Sequence, residues 1–304
     1  MKDQNLNLTS DFKEMPDFSD SQYEDLILSL INGACIFFGA GISKFAGYKL
    51  WEELRDALVD YFWNKRGELS SLCLSNHNFD HSMCENLKKY NIIEAFDYLH
   101  SINSKLFITG IKDIFKMDSK DNNNKIYQFL KRLNNGKNIF ITTNIDDGFQ
   151  KYLGLPDKKI SISPPNNINS PKLITYLHGR IDKEKTWIFT TSQYNKVYEG
   201  KAPCKKYLKK VFRDRVVLFI GYGLRENEIL RAINSTDKLK AHYWLEEYSR
   251  NNIDVLKIRS TSLRENYNIR LIPYCIDNRE RFELICEITE SLCRKITEKE
   301  RNIK

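Results

Sequence analysis

What this 304-residue chain lacks narrows its class first. No two of its seven cysteines (Cys35, Cys73, Cys84, Cys204, Cys275, Cys286 and Cys293) are spaced Cys-x-x-Cys, and the count is odd. That argues against a disulfide framework and against the paired-cysteine zinc ribbon, and it suits a reducing compartment. Long apolar runs are also missing: Ala34–Phe38 is far short of the roughly 20 residues a bilayer span needs. The first twenty residues are polar and of mixed charge, with no apolar stretch to act as a secretory signal. No internal repeat is visible. These absences predict an intracellular, cytoplasmic protein without a membrane partner.

What is present suits one sizeable core, with 41% hydrophobic and 29% charged residues. The formal net charge of +8 fits a nucleotide ligand as well as it fits nucleic acid. Residues 1–19 read as a loose arm, and 20–300 as a single domain. A helix is expected from Asp20 or Ser21, with Leu26, Ile27, Leu30 and Ile31 on its apolar face. A buried strand, Ala34–Phe38, follows. Helical spacing then dominates a long insertion, about 52–135, broken by a polar surface loop over 118–124. Short apolar runs come next: 138–142, 173–177, Thr186–Phe189, 216–220, 241–245 and 270–275. Separated by helical or loop segments, they predict an α/β, Rossmann-like fold. Its sheet is mainly parallel with helices on both faces, and the helical insertion forms a smaller subdomain. An amphipathic helix over 278–299 closes the chain.

Four strand ends carry ligand-type residues. Gly39-Ala40-Gly41-Ile42-Ser43 follows the first strand, where glycines let the backbone turn sharply beside a pyrophosphate. The plainer reading is a tight turn. Thr142-Thr143-Asn144-Ile145-Asp146 ends the second predicted strand, where polar groups face the ligand crevice of a parallel sheet. Alternatively Asn144 or Asp146 only caps the next helix. His178-Gly179 ends another strand. A histidine there can titrate near neutrality and serve as a general base, or it can be structural. Gly221-Tyr222-Gly223 repeats the logic of the first motif after Leu218–Ile220.

Taken in this order, the four motifs resemble those of sirtuins, and more closely those of bacterial sirtuin-like NAD hydrolases of anti-phage defence. The resemblance covers residues 34 to about 275. Gly47 and Trp51 after the first motif fit that branch, as does Phe219–Leu224, although a small polar residue usually stands at the place of Gly223. The resemblance implies NAD+ as substrate and an NAD+ glycohydrolase, an NAD-depleting effector that releases nicotinamide and ADP-ribose. It implies that Asn144 positions the water or the ribose, Asp146 orients the ribose side, and His178 takes a proton. Gly39, Ala40, Gly41 and Ser43 would cradle the pyrophosphate, with Gly221, Tyr222 and Gly223 under the adenosine half and Thr143 beside the cofactor.

Two departures count against protein deacylation. Deacylating sirtuins usually carry Gln where Thr143 stands, and they bind zinc through two Cys-x-x-Cys pairs that this chain lacks. An NAD-dependent deacylase and a non-catalytic NAD- or ADP-ribose-binding module remain the other readings. A homo-oligomer, or a separately encoded sensor, ATPase or nucleic-acid-guided partner, is expected to control the activity, and no metal is expected. Cys73, His77, His81 and Cys84 have zinc-like spacing, with chance the better explanation. Lys201, Lys205, Lys206, Lys209, Lys210, Arg213 and Arg215 form a basic segment that reads first as a solvated helix face.

Overall fold

The computed structural model describes residues 14–69, 79–118, 125–162, 173–199, 203–223, 227–234, 240–277 and 279–303. Its strands are β1 (Cys35–Phe38), β2 (Ile139–Thr142), β3 (Ile160–Ser161), β4 (Ile174–Tyr176), β5 (Val217–Ile220), β6 (His242–Tyr248) and β7 (Ile269–Cys275). Helix α1 (Glu24–Asn32) precedes β1. Between β1 and β2 come α2 (Ala40–Phe45), α3 (Trp51–Asn64), α4 (Arg66–Leu69), α5 (His81–Lys89), α6 (Ile92–Ile102), α7 (Ser104–Asp118) and α8 (Lys125–Arg132). The rest are α9 (Gly148–Leu153), α10 (Thr191–Tyr198), α11 (Pro203–Asp214), α12 (Asn227–Asn234), α13 (Ile253–Tyr267) and α14 (Arg281–Ile303).

Among the described residues the strands form one sheet of order β3-β4-β2-β1-β5-β6-β7, with every pairing parallel. This confirms the α/β, Rossmann-like expectation. Every residue of β1, β2 and β5 is buried, so these strands are near-continuous apolar runs covered on both faces. Side chains alternate between the faces. Ile36 and Phe38 join a core with Leu26, Leu30, Leu58, Leu284 and Ile288. Cys35 and Phe37 join the opposite core with Leu208, Val211, Phe212, Ile229 and Leu263. The chain leaves β1 first toward β2 and later toward β5, so the topological switch point lies at β1.

Buried Asn138 fixes where this centre begins. Its Oδ1 accepts from the Ala34 N–H at 2.6 Å, and its Nδ2 donates to the carbonyls of Leu30 and Leu133 at 2.9 and 2.8 Å. One carboxamide thus ties the ends of α1 and α8 to the start of β1, satisfying three main-chain groups away from water.

Several expectations need correction. Thr186–Phe189 is no strand: a 3₁₀ turn spans Glu184–Thr186, and the Phe189 N–H donates to the Gln193 side chain at the cap of α10. With that donor committed to a cap, the segment builds no ladder even though Trp187, Ile188 and Phe189 are buried. The two-residue β3 carries too short a pattern to be seen in sequence. Residues 14–19, read as part of a loose arm, are packed: the Glu14 carbonyl accepts from the Cys275 N–H, and Phe18 is buried. Residues 1–13 and most of the predicted loop at 118–124 lie outside the described residues.

Candidate functional site

In an all-parallel sheet every strand's carboxyl end reaches one edge, so all four motifs share it. The turns after β1 and β5 touch backbone to backbone, with the Gly41 N–H donating to the Gly221 carbonyl at 2.8 Å. Gly221 has φ +58°, and a Cβ there would lie 2.6 Å from the Ile42 nitrogen. A Cβ on Gly39 or Gly41 would in turn meet Gly221 at 2.7 and 2.9 Å. Only glycine allows this approach.

The loops after β2 and β4 also run together. The Leu177 N–H donates to the Thr142 carbonyl at 2.8 Å, and the Ile181 N–H to the Ile145 carbonyl at 2.7 Å. These bonds bracket Asn144 on one loop and His178 on the other. The turn beyond His178 needs Gly179, at φ +87°, because a Cβ would sit 2.3 Å from the Thr186 carbonyl oxygen.

One buried network joins the first and second motifs. Asn144 Nδ2 donates to Ser43 Oγ at 2.6 Å, and Ser43 Oγ donates to Asp146 Oδ2 at 2.5 Å. Asp146 Oδ1 accepts from the Gly148 N–H at 3.1 Å. Burial pushes the Asp146 carboxyl up to about 6, partly countered by the bonds from Ser43 and Gly148. Above that pH the carboxylate only accepts, so Ser43 must spend its single proton there. The Asn144 group facing Ser43 is therefore its NH₂. This leaves Asn144 Oδ1 buried without a hydrogen-bond partner among the described residues. Tyr127 of α8, buried near Asp146, closes the inner side, and burial together with that carboxylate holds its phenol well above its ordinary value.

His178 lies beside this network rather than within it. It is fully buried, and its Nε2 is 2.8 Å from the Tyr198 hydroxyl. Its ring packs against Tyr194 (5.1 Å), Tyr198 (5.8 Å) and Trp51 (6.1 Å), the last at the start of α3. Burial pushes the imidazole down to about 3. Burial thus favours the neutral ring across the physiological range, against the expected titration near neutrality. Tyr198, twenty residues beyond His178 and at the end of α10, belongs to no motif, and no sequence signal pointed to it.

The remaining predicted residues divide. Ser43, expected at the pyrophosphate, uses its hydroxyl to bridge Asn144 and Asp146. Thr143 is buried beside Asn144. The Tyr222 ring packs at a tilt against Phe37 and stacks on Phe219 in the sheet core, while Gly223 is exposed and its carbonyl accepts from Arg259 at 3.1 Å. Cys73, His77 and Lys201 lie outside the described residues. His81 packs on Trp63, and among the described residues no three His, Cys, Asp or Glu converge as metal ligands would. In α11, Leu208, Val211 and Phe212 are buried, whereas Lys206 and Arg213 are exposed. No described helix is long and apolar enough to cross a membrane.

The sheet order and its strand-end residues define an α/β protein of Rossmann type, with its polar side chains gathered at the switch point. Residues 138–272, from just before β2 into β7, match the family model described as SIR2-like domain, which supports a sirtuin-like family. SIR2-like domains are NAD-dependent enzymes, so the match points to an NAD-related activity. No curated protein matches the chain.

Proposed function

We propose that this chain is an NAD+ glycohydrolase that splits the nicotinamide–ribose bond. The observation that supports it most is the Oδ1 of Asn144, buried without a hydrogen-bond partner among the described residues and oriented by Ser43 and Asp146. A buried acceptor without a donor is costly, on the order of 1–3 kcal/mol, and a hydroxyl-bearing ligand at this edge would relieve it. Water or a ribose hydroxyl is such a donor.

Breaking the glycosidic bond develops positive charge at the anomeric carbon, and nicotinamide leaves as a neutral molecule. The reaction needs little acid catalysis; it needs an oriented water, a base and a dry cavity. Asn144 orients the water or ribose, Asp146 holds Asn144 through Ser43, and His178, neutral at physiological pH, receives the water's proton. The glycine turns after β1 and β5 supply backbone for the pyrophosphate and the adenosine half.

By resemblance the activity serves as an NAD-depleting effector, governed by self-association or by a separately encoded partner. Nicotinamide release from NAD+ without any acylated peptide tests the reading. Release by the wild-type chain, lost in both Asn144→Ala and His178→Ala, is expected. Undiminished release by both variants overturns the assignment, and dependence on an acylated peptide would mark a deacylase instead.

A further inference from the structure

One polar partner of His178 comes from a residue that none of the four motifs contains. Tyr198 is the last residue of α10, a helix started by the capping box of Thr190 and Gln193. Tyr194, one turn earlier, stacks on Tyr198 at 5.9 Å with 24° between the rings, and both rings flank the imidazole. Trp51 bounds it from α3. Ring packing thus limits the imidazole's rotation, and the Tyr198 hydroxyl engages Nε2.

A neutral imidazole carries one N–H and one lone pair, and the partner of one nitrogen decides the state of the other. If Tyr198 donated to Nε2, the ring proton would sit on Nδ1, and His178 could accept at neither nitrogen without breaking the Tyr198 bond. The reverse arrangement leaves a basic nitrogen.

We propose that Tyr198 is a positioning residue for the hydrolysis: its oxygen accepts the Nε2–H of His178 and so leaves the lone pair on Nδ1, the nitrogen that takes the water's proton. This rests on the reading of the site as an NAD hydrolase. In the step, the water oxygen bonds to the anomeric carbon as the C–N bond breaks. The bonding pair leaves with nicotinamide, and the water proton passes to Nδ1. The imidazolium then has two N–H donors, and Tyr198 already accepts from one of them. An acceptor placed beforehand in a buried setting stabilises the charge without reorganising as it forms. The proton later passes to solvent and restores the neutral ring.

Nitrogen-15 spectra of the full-length chain's histidine rings test this at neutral pH, with the His178 signals identified by their loss in His178→Gln. The Nε2–H tautomer is expected in the wild type and a shift toward the other tautomer in Tyr198→Phe. The same variant should lose about 10- to 100-fold in kcat with KM changed less than about twofold. Combined with His178→Ala it should cost nothing further. Nicotinamide release by a wild type whose His178 is the Nδ1–H tautomer overturns the proposal alone, as does full kcat in Tyr198→Phe. No release by the wild type overturns the hydrolase reading and this proposal with it.

Discussion

Ser43 Oγ stands 2.5 Å from an Asp146 carboxylate oxygen, and that contact decides which way the Asn144 carboxamide faces. The dependence sets a pH limit. Below about 6, Asp146 protonates and can itself donate to Ser43, freeing the hydroxyl proton for Asn144 and letting the carboxamide turn. NAD cleavage is expected to be full above that pH and to fall below it. Ser43→Ala removes a bond that lowers the Asp146 pKa, so the acid limb of kcat should move to higher pH while the rate drops about 10- to 100-fold. A pH–rate profile of both proteins checks this; an unmoved limb would break the link.

Trp51 lies edge-on to His178 and against Phe96 and Phe189, so a dinucleotide approaching the imidazole meets this indole. Adding NAD+ to the His178→Ala protein should change its tryptophan emission, and Trp51→Phe in that background should remove most of the change. Equal signals with and without Trp51 would put the ligand elsewhere.

Gly221→Ala should destabilise the fold more than it alters surface chemistry. The left-handed backbone costs an alanine about 1–2 kcal/mol, and the 2.6 Å approach to the Ile42 nitrogen adds strain. An unfolding free energy from denaturant titration lowered by at least that amount is expected, against a near-neutral Gly67→Ala, where a Cβ would meet nothing within 4 Å.

Two buried histidines set the acid stability. Burial holds His178 down to about 3 and His242 to about 4. Between those values and the ordinary 6.5 the unfolded chain binds protons that the folded chain does not, so stability falls as pH drops through this window. Asp146, raised to about 6, acts oppositely between 6 and its ordinary value near 3.8, offsetting one histidine. The melting temperature should decline from pH 6.5 to 4.5, and the slope should shrink in His242→Gln.

The parallel sheet was legible because its inner strands read as short apolar runs ending in glycine or polar residues, as Ala34–Ser43 and Asn138–Asp146 do. Misreading Thr186–Phe189 has a local cause: the apolar run suggested a strand, while the backbone donor it needed goes to Gln193. Asn144 and His178 were placed on adjoining loops by pattern. The basicity of His178 was not legible, because it depends on Tyr194, Tyr198 and Trp51, which reach it from distant helices. Similarly, Ser43 was legible as a loop residue, but its bridge to Asn144 spans 101 positions and leaves no periodic trace.

The central strand has a consequence for biosynthesis. In the chain, 104 residues separate Ala34 from Asn138 and 182 separate Gly33 from Arg215, so β1 leaves the ribosome long before either of its neighbours. Until both arrive, Cys35-Ile36-Phe37-Phe38 has no lateral partner to occupy its main chain, and such late pairing folds slowly and invites aggregation. Nascent chains of this protein should therefore lean on chaperones until the fifth strand emerges, and truncations ending before it should be recovered mainly from the insoluble fraction.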